Sequence, residues 1–406
     1  MIKEFIGFKE ALGITLDHIQ PLAMETVSLS ECQDRIVCQD LYAMVDSPSV
    51  DASLKDGYAV LSKDIRNASR EKPVRLKLIG TAAAGIPFTG ALNELNAVKI
   101  LTGGKIPEGA DAVVAGEFTD LSDSGNTVIV RNHAEPGRNI FLKGKDVSSG
   151  ERLILKGSAI TPGLAGLLAA SGHSDIPVYK RPRVAMIATG DEVVMPGRPL
   201  AEGKLYASNL ITLNAWCRRY GMSTTMEQVS DLPDLIQKKI TWAMDHHDAL
   251  ITSGGAWTGD RDLVVAMLSE LGWTQYYHRI RIGPGKAVGF GLLNGKPVFV
   301  LPGGPPSNLL AFLMIALPGL VKLSGGTGPV LPQIRARLSK TLTVRDKDWT
   351  QFVFGSLLPG DDCPVFMPIE MESRLQSMAK AQAVMAVPEG VSGIEAQTIL
   401  TVQSLR

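Results

Sequence analysis

The texture of apolar positions changes three times along the chain. Residues 1–50 carry Leu, Ile and Met at helical spacings up to "VDSPSVD", which predicts mostly helix. From 51 to about 140 the apolar runs are short and broken by Gly and Pro, as in "AVKILTGGKIPEGADAVVAGEFTD". Short strands are expected there, near Val98–Leu101 and Ala112–Val114. "LILKGSAITPGLAGLLAASG" reads as a strand, a turn and a small-residue helix that Gly172 would cap.

From about residue 176 the pattern becomes regular. "RVAMIATG" is a continuous apolar strand, and "SNLITLNAWCRRYG" is an amphipathic helix with Ser208 as N-cap and Gly221 past its end. Strand and helix alternate again through "TTMEQVS", "LPDLIQKKITWAMDHH", "DALITSGG" and "DLVVAMLSELG". "TQYYHRIRI" is a strand leading into "GPGK", and "AVGFGLLNGKPVFVLPGG" is a hairpin turning at Asn294-Gly295. The long helix "SNLLAFLMIALPGLVKLSG" closes the unit. Such alternation with unbroken apolar strands predicts an open α/β sheet covered on both faces. "SGGTGPVLP" reads as a linker, after which strand-like segments return.

The expected fold class is therefore α/β plus β, multidomain. Residues 1–50 and 140–175 read as helical and linker segments, 51–139 as a β-rich domain, 176–328 as an α/β domain and 329–406 as a C-terminal β domain. A length of 406 residues calls for several cores. Lys plus Arg equals Asp plus Glu at 41 each, which argues against nucleic acid as the main partner. The start has no uninterrupted apolar stretch of signal-peptide type, and the run Leu309–Val321 is short for a bilayer and interrupted by Pro318. No membrane partner and a cytoplasmic location are expected. Cys32, Cys38, Cys217 and Cys363 show no CxxC or zinc spacing, so reduced structural thiols are expected.

Four segments of the α/β unit end strands with the same punctuation: "ATGDE", "ITSGG", "GPGK" and "LPGGPPS". Beyond the carboxyl ends of such strands lies the usual ligand crevice, and glycine lets backbone amides approach an anion. The rim would bind substrate through Thr189, Gly190, Ser253, Gly254, Gly255, Lys286, Pro302, Gly303 and Ser307. Glu192, Asp231, Asp260 and Asp262 follow strand ends on that rim. Acids beside an anion site make sense around a shared divalent cation; N-capping is the competing reading for Asp231 and Asp260. Arg279 and Arg281 add charge nearby, with a solvated strand edge as their competing reading.

Taken together, "DASLKDGYAV", "ILTGGKIPEGADAVV", "PGRNIFLKGKDVSSG", "IATGDEVV", "YASN", "SDLPD", "TSGGAWTGDRD", "GPGKAVGFG", "LPGGPPSN" and "VPEG" resemble the molybdopterin molybdenumtransferase family, MoeA and the gephyrin E-domain included. The resemblance covers nearly the whole chain in order. It implies a homodimer of L-shaped four-domain subunits, two of the domains discontinuous in sequence and 1–50 joined with 140–175 in one of them, with a MogA-like molybdopterin-binding sheet and a C-terminal barrel-like domain. It also implies insertion of molybdate into adenylylated molybdopterin with Mg²⁺-dependent release of AMP, and dealings with molybdopterin adenylyltransferase and apo-molybdoenzymes. Matched motif by motif, Asp56, Asp146, Glu192, Asp231 and Asp262 fall on functional acids, and Glu192 and Asp262 are the candidate Mg²⁺ ligands. Thr102 matches a functional threonine, and Arg279 stands for a functional lysine. The resemblance puts the site between the α/β domain of one subunit and the β-rich domain of the other.

The chain departs from that pattern. Gly283 replaces the first lysine of Lys-Pro-Gly-Lys, Gly304 an Asn and Ala207 an Asp, while Leu54-Lys55 replaces a small-Met pair. Losing one cation beside a doubly charged oxyanion costs about 1–3 kcal/mol of binding. A molybdopterin-binding and delivery protein without turnover, a tungstate-preferring homologue and a pterin- or nucleotide-cleaving hydrolase are the alternatives.

Overall fold

The computed structural model describes residues 3–254, 263–327, 330–344 and 346–406. The chain opens with strand β1 (Lys3–Gly7) and helix α1 (Phe8–Asp17). The α/β unit then runs β2 (Arg183–Thr189), α2 (Ser208–Arg219), β3 (Ser223–Val229), α3 (Pro233–His246) and β4 (Ala249–Ser253). It continues with α4 (Leu263–Glu270), β5 (Thr274–Gly283), β6 (Gly289–Leu293) and β7 (Lys296–Leu301). In space the strands lie β3-β2-β4-β7-β6-β5, and β1 adds to β5 in parallel.

Strand β2 shows why its sequence is apolar throughout. Val184, Met186 and Ala188 pack with Leu210, Leu213 and Cys217 of α2, whereas Ala185 and Ile187 pack with Ile236 and Ile240 of α3. Both faces are covered, so neither parity of residue is left polar. Each fully buried Ile or Leu contributes roughly 1.5–3 kcal/mol relative to exposure.

The closing helix is α5 (Pro305–Ala311), a π-helical turn at Phe312–Ala316, and α6 (Leu317–Leu323). Pro318 has no N–H to return to the preceding turn, and the wider turn stands just before it. By length and composition Pro305–Leu323 could cross a bilayer, but 72% of its apolar window is buried inside the protein. It is a core helix.

Two β assemblies flank this unit. One is a six-stranded sheet ordered Ala112–Ala115, Gly57–Val60, Asn96–Ile100, Val74–Ala82, Thr127–Val130 and Thr119–Leu121. The other is a closed five-stranded barrel of β8 (Gln333–Leu338), β9 (Thr350–Leu358), β10 (Val365–Pro368), β11 (Ala383–Val387) and β12 (Ile399–Ser404), closing in the order β9-β10-β8-β12-β11. Helix α7 (Arg374–Lys380) lies between β10 and β11, where the sequence pattern showed only strands. The barrel joins the α/β sheet through Ile282–Thr350 and Gly283–Gln351.

Three local expectations are corrected. Within residues 1–50 the helix covers Phe8–Asp17, and one 3₁₀ turn follows at Leu29–Glu31. Met24–Ser28 is a strand on Asp175–Tyr179, a pairing so distant in sequence that local periodicity carries no trace of it. Ser208 does not cap α2: it is the first helical residue, Ala207 precedes it, and no side chain caps the helix. The hairpin turn is as expected, with Asn294 at φ 52° and Gly295 at φ 75°.

Candidate functional site

Strand register brings the expected loops to one edge. Thr189 is level with Val229, Ala188 with Ser253, and Ser253 with Leu301. The turns after β2, β3, β4 and β7 therefore leave the sheet together. Because Gly289 sits opposite Val300, the Gly283–Lys286 turn reaches the same edge. The chain leaves β2 for β3 on one side and returns to β4 on the other, which makes the β2/β4 gap the switch point. A cleft of about 810 Å³ opens there, lined by Thr189, Glu192, Ser253, Gly254, Gly303 and Gly304.

Two glycines are dictated by this geometry. Gly254 has φ +98°, and a Cβ on it would stand 2.9 Å from the Thr189 carbonyl oxygen. Gly190 has φ +136°, and the Glu192 carboxylate folds to 2.7 Å from where its Cβ would be. The amide of Gly254 is not free for a ligand, since it donates to Leu301 O at 3.1 Å.

Ser253 is the hub of the cleft. Its Oγ accepts from Asn209 Nδ2 at 3.2 Å and from Asn308 Nδ2 at 3.1 Å. The same amides donate to Gly303 O at 2.8 Å and Pro302 O at 2.9 Å. With two bonds accepted, the Ser253 proton remains to donate toward a ligand. Neither asparagine stands out in the sequence as a site residue. Their signal was the recurrence of Ser-Asn-Leu at 208–210 and 307–309, at the start of two helices.

The acids gather at one side. Asp231 N donates to Asp191 Oδ1 at 3.2 Å. Burial, and then the charges of Asp191 and Glu192, hold the Asp231 carboxyl above its ordinary range. Asp231 is not an N-cap, because Leu232 flanks α3 and no side chain caps that helix. Among the described residues no group of three or more His, Cys, Asp or Glu is arranged to hold a metal. Asp260, Asp262 and Gly255 lie outside the described residues.

Other expected site residues stand apart from the cleft lining. Thr102 donates to Asp56 Oδ1 through its N–H at 2.6 Å and its hydroxyl at 2.7 Å, which holds that carboxyl below the usual range. Asp146 is exposed on a loop that its N–H ties to Ser47 O at 2.9 Å. No hydrogen bond or ion pair among the described residues joins these three to the rim. Lys286 is exposed on its turn. Ser307 lies behind that turn, its carbonyl 3.1 Å from where a Cβ on Gly285 would be.

Arg279 has φ +63°, and its guanidinium lies 5.8 Å from the Phe5 ring centroid. Arg281 is no solvated edge residue. It bonds the Phe5 carbonyl, Asp348 O at 3.1 Å and Glu389 Oε2 at 3.1 Å, clamping β1 to the barrel.

Three of the departures have settings at the cleft or beside it. Ala207 is buried at the cleft wall, and Gly304 faces open space. A Cβ on Gly283 would stand 2.6 Å from Gln351 Oε1.

Comparison with known proteins agrees with this architecture. Residues 6–172 match the family model described as MoeA N-terminal region (domain I and II), and 185–322 match the one described as probable molybdopterin binding domain. The Bacillus subtilis molybdopterin molybdenumtransferase is 31% identical over 94% of this chain and 90% of its own length. Molybdopterin molybdenumtransferase 2 of Mycobacterium tuberculosis is 32% identical over 94% and 95%. The crystal structure of the molybdopterin biosynthesis MoeA protein of Pyrococcus horikoshii superposes with a TM-score of 0.83 at 30% identity, covering 99% of this chain and 100% of that one. The paired family matches and the full-length relatives together make this chain a member of the molybdopterin molybdenumtransferase (MoeA) family of molybdenum cofactor biosynthesis.

Proposed function

We propose that the protein inserts molybdate into adenylylated molybdopterin and releases AMP in a Mg²⁺-dependent step. The observation that carries this reading is the cleft at the β2/β4 switch point, where the Ser253 hydroxyl and glycine turns meet the side holding Glu192. The substrate's phosphoanhydride is a polyanion, which nearby carboxylates repel unless a cation lies between them. Asp191, Glu192 and Asp231 crowd one side of the site, where burial and their mutual charge raise the Asp231 carboxyl, and a divalent cation shared with the substrate phosphates would relieve that repulsion. One or two carboxylates plus substrate phosphates suffice for this ion. Glu192 would contribute from this chain, with Asp262 as the second candidate. The bound ion would neutralise charge on the phosphates. The Ser253 hydroxyl would donate to a phosphate or pterin oxygen, and the turns at Gly190 and Gly254 keep side chains out of the way.

The Asp56–Thr102 pair belongs to the same reaction in a homodimer, each pair facing the cleft of the second copy. Among the described residues no bond ties the pair to the rim of its own chain, which favours that assignment. We place the reaction in the cytoplasm, with molybdopterin adenylyltransferase supplying substrate and apo-molybdoenzymes receiving product.

Purified protein mixed with adenylylated molybdopterin, molybdate and Mg²⁺ is expected to release AMP. No AMP above a chelator control would refute the enzyme reading. A second reading, binding and delivery without turnover, is favoured by Gly283, Gly304 and Ala207, which each remove a polar group that the family pattern carries. It predicts tight pterin binding with no molybdate-dependent AMP. Replacing molybdate by tungstate in the same assay distinguishes a tungstate-preferring enzyme.

A further inference from the structure

The cleft draws on a part of the chain that the sequence pattern did not connect with it. Ser373, Arg374 and Leu375 of the C-terminal domain line the cleft opposite the α/β loops. Among the described residues that line the cleft, cations are few. Lys204 lines it, but its ammonium donates to Asp191 O at 2.6 Å on the acidic side. Position 283, a lysine in the family pattern, is glycine, with the Gln351 amide over it. Arg374 is exposed, and no hydrogen bond or ion pair engages its guanidinium among the described residues.

The helix bearing it is anchored. Ser373 Oγ accepts from Gln376 N at 3.4 Å, and the buried Ser377 donates its hydroxyl to Glu370 O at 3.2 Å. α7 packs against α5, the helix that starts at the Gly303–Gly304 turn. Leu375 on one side and Leu200 and Leu205 on the other, each about half exposed, give the cleft apolar walls. A charge pair formed between such walls is less screened than one on an open surface.

We infer that Arg374 is a substrate-binding residue, supplying from the C-terminal domain the cation that holds a phosphate or oxyanion group of the ligand against the Gly303–Gly304 turn. This rests on the proposed substrate, a phosphate-bearing pterin nucleotide. Arginine suits the task because its planar fork meets a phosphate with two donors. The arrangement also makes the barrel part of the site, so the cleft is complete only when α7 is docked on α5.

The test is calorimetric titration of the full-length protein with adenylylated molybdopterin, at low and at physiological salt, for wild type, Arg374→Ala and Arg374→Lys. Arg374→Ala is expected to weaken binding at least about tenfold and to flatten the salt dependence, with partial recovery in Arg374→Lys. Unchanged affinity in Arg374→Ala, while wild type binds, overturns the inference and leaves the proposed function standing. Arg374→Lys as weak as Arg374→Ala, with the wild-type salt dependence retained, assigns the loss to packing and also overturns it. Failure of the wild type to bind refutes the proposed substrate, and this inference with it.

Discussion

Asn209 and Asn308, from the first turns of two different helices, donate to one acceptor, Ser253 Oγ, at 3.2 and 3.1 Å. Their other amide hydrogens hold the Gly303 and Pro302 carbonyls. The ends of β4 and β7 and the starts of α2 and α5 are thereby locked into one cluster under the cleft. The shape of the site is set from below before any ligand arrives.

Asn308 is 1% exposed, so its removal leaves the Pro302 carbonyl without this donor. Asn308→Ala is expected to lose about 1–3 kcal/mol of stability, the usual penalty for a buried polar group without its partner. Asn209→Ala, at a more accessible position, is expected to lower ligand affinity with a smaller change in melting temperature. Thermal melts and ligand titrations of the two variants side by side separate these outcomes.

The glycines of the rim make opposite demands. Gly254→Ala must adopt φ +98° and meets the Thr189 carbonyl at 2.9 Å, so about 1–3 kcal/mol of strain and loss of ligand binding are expected. Gly304 has φ −69° and nothing within 4 Å of where a Cβ would stand, so Gly304→Asn is expected to fold with an unchanged melting temperature. Restoring the family's asparagine there should tighten pterin binding; equal melting temperatures for both variants would contradict the geometry.

Much of this was legible in the sequence, and the exceptions have physical causes. β2 and its neighbours were evident because a strand covered on both faces must be apolar at every position. The shared edge followed from strand–helix alternation alone. The strand at Met24–Ser28 was not legible, since its partner lies at Asp175–Tyr179 and local spacing cannot report a distant pairing. Asn209 and Asn308 were hidden because a buried amide looks like any helix-start polar residue until its acceptor is seen. Arg374 was hidden for a related reason: its role depends on where the barrel docks, which no local pattern encodes.

Asp231 predicts how stability varies with pH. Its carboxyl is raised in the folded state, so between its ordinary value of 3.8 and the folded value the native protein binds more protons than the unfolded chain. Stability therefore falls as pH rises through that window, and the penalty persists at neutral pH. Asp231→Asn is expected to melt higher than wild type at pH 7 and to converge with it in acid. Mg²⁺ is expected to raise the wild-type melting temperature at pH 7, with a smaller effect on Asp231→Asn. A melting temperature at pH 7 that does not change on substitution would show that burial and the neighbouring acids together impose no penalty on the Asp231 carboxylate.

Asp56 and Glu192 provide the sharpest test of a site shared between copies. Asp56 is bonded to Thr102 on the β-rich domain, and Glu192 lines the cleft of the α/β domain. If each site draws Asp56 from one chain and Glu192 from the other, Asp56→Ala and Glu192→Ala are both inactive as homodimers. Unfolding and refolding them together gives mixed dimers, half of the total by random pairing, in which one of two sites carries both native acids. Activity should return to roughly a quarter of wild type per protomer. If both acids serve from the same chain, one subunit of every mixed dimer lacks Asp56 and the other lacks Glu192, and AMP release stays at the level of the parent variants.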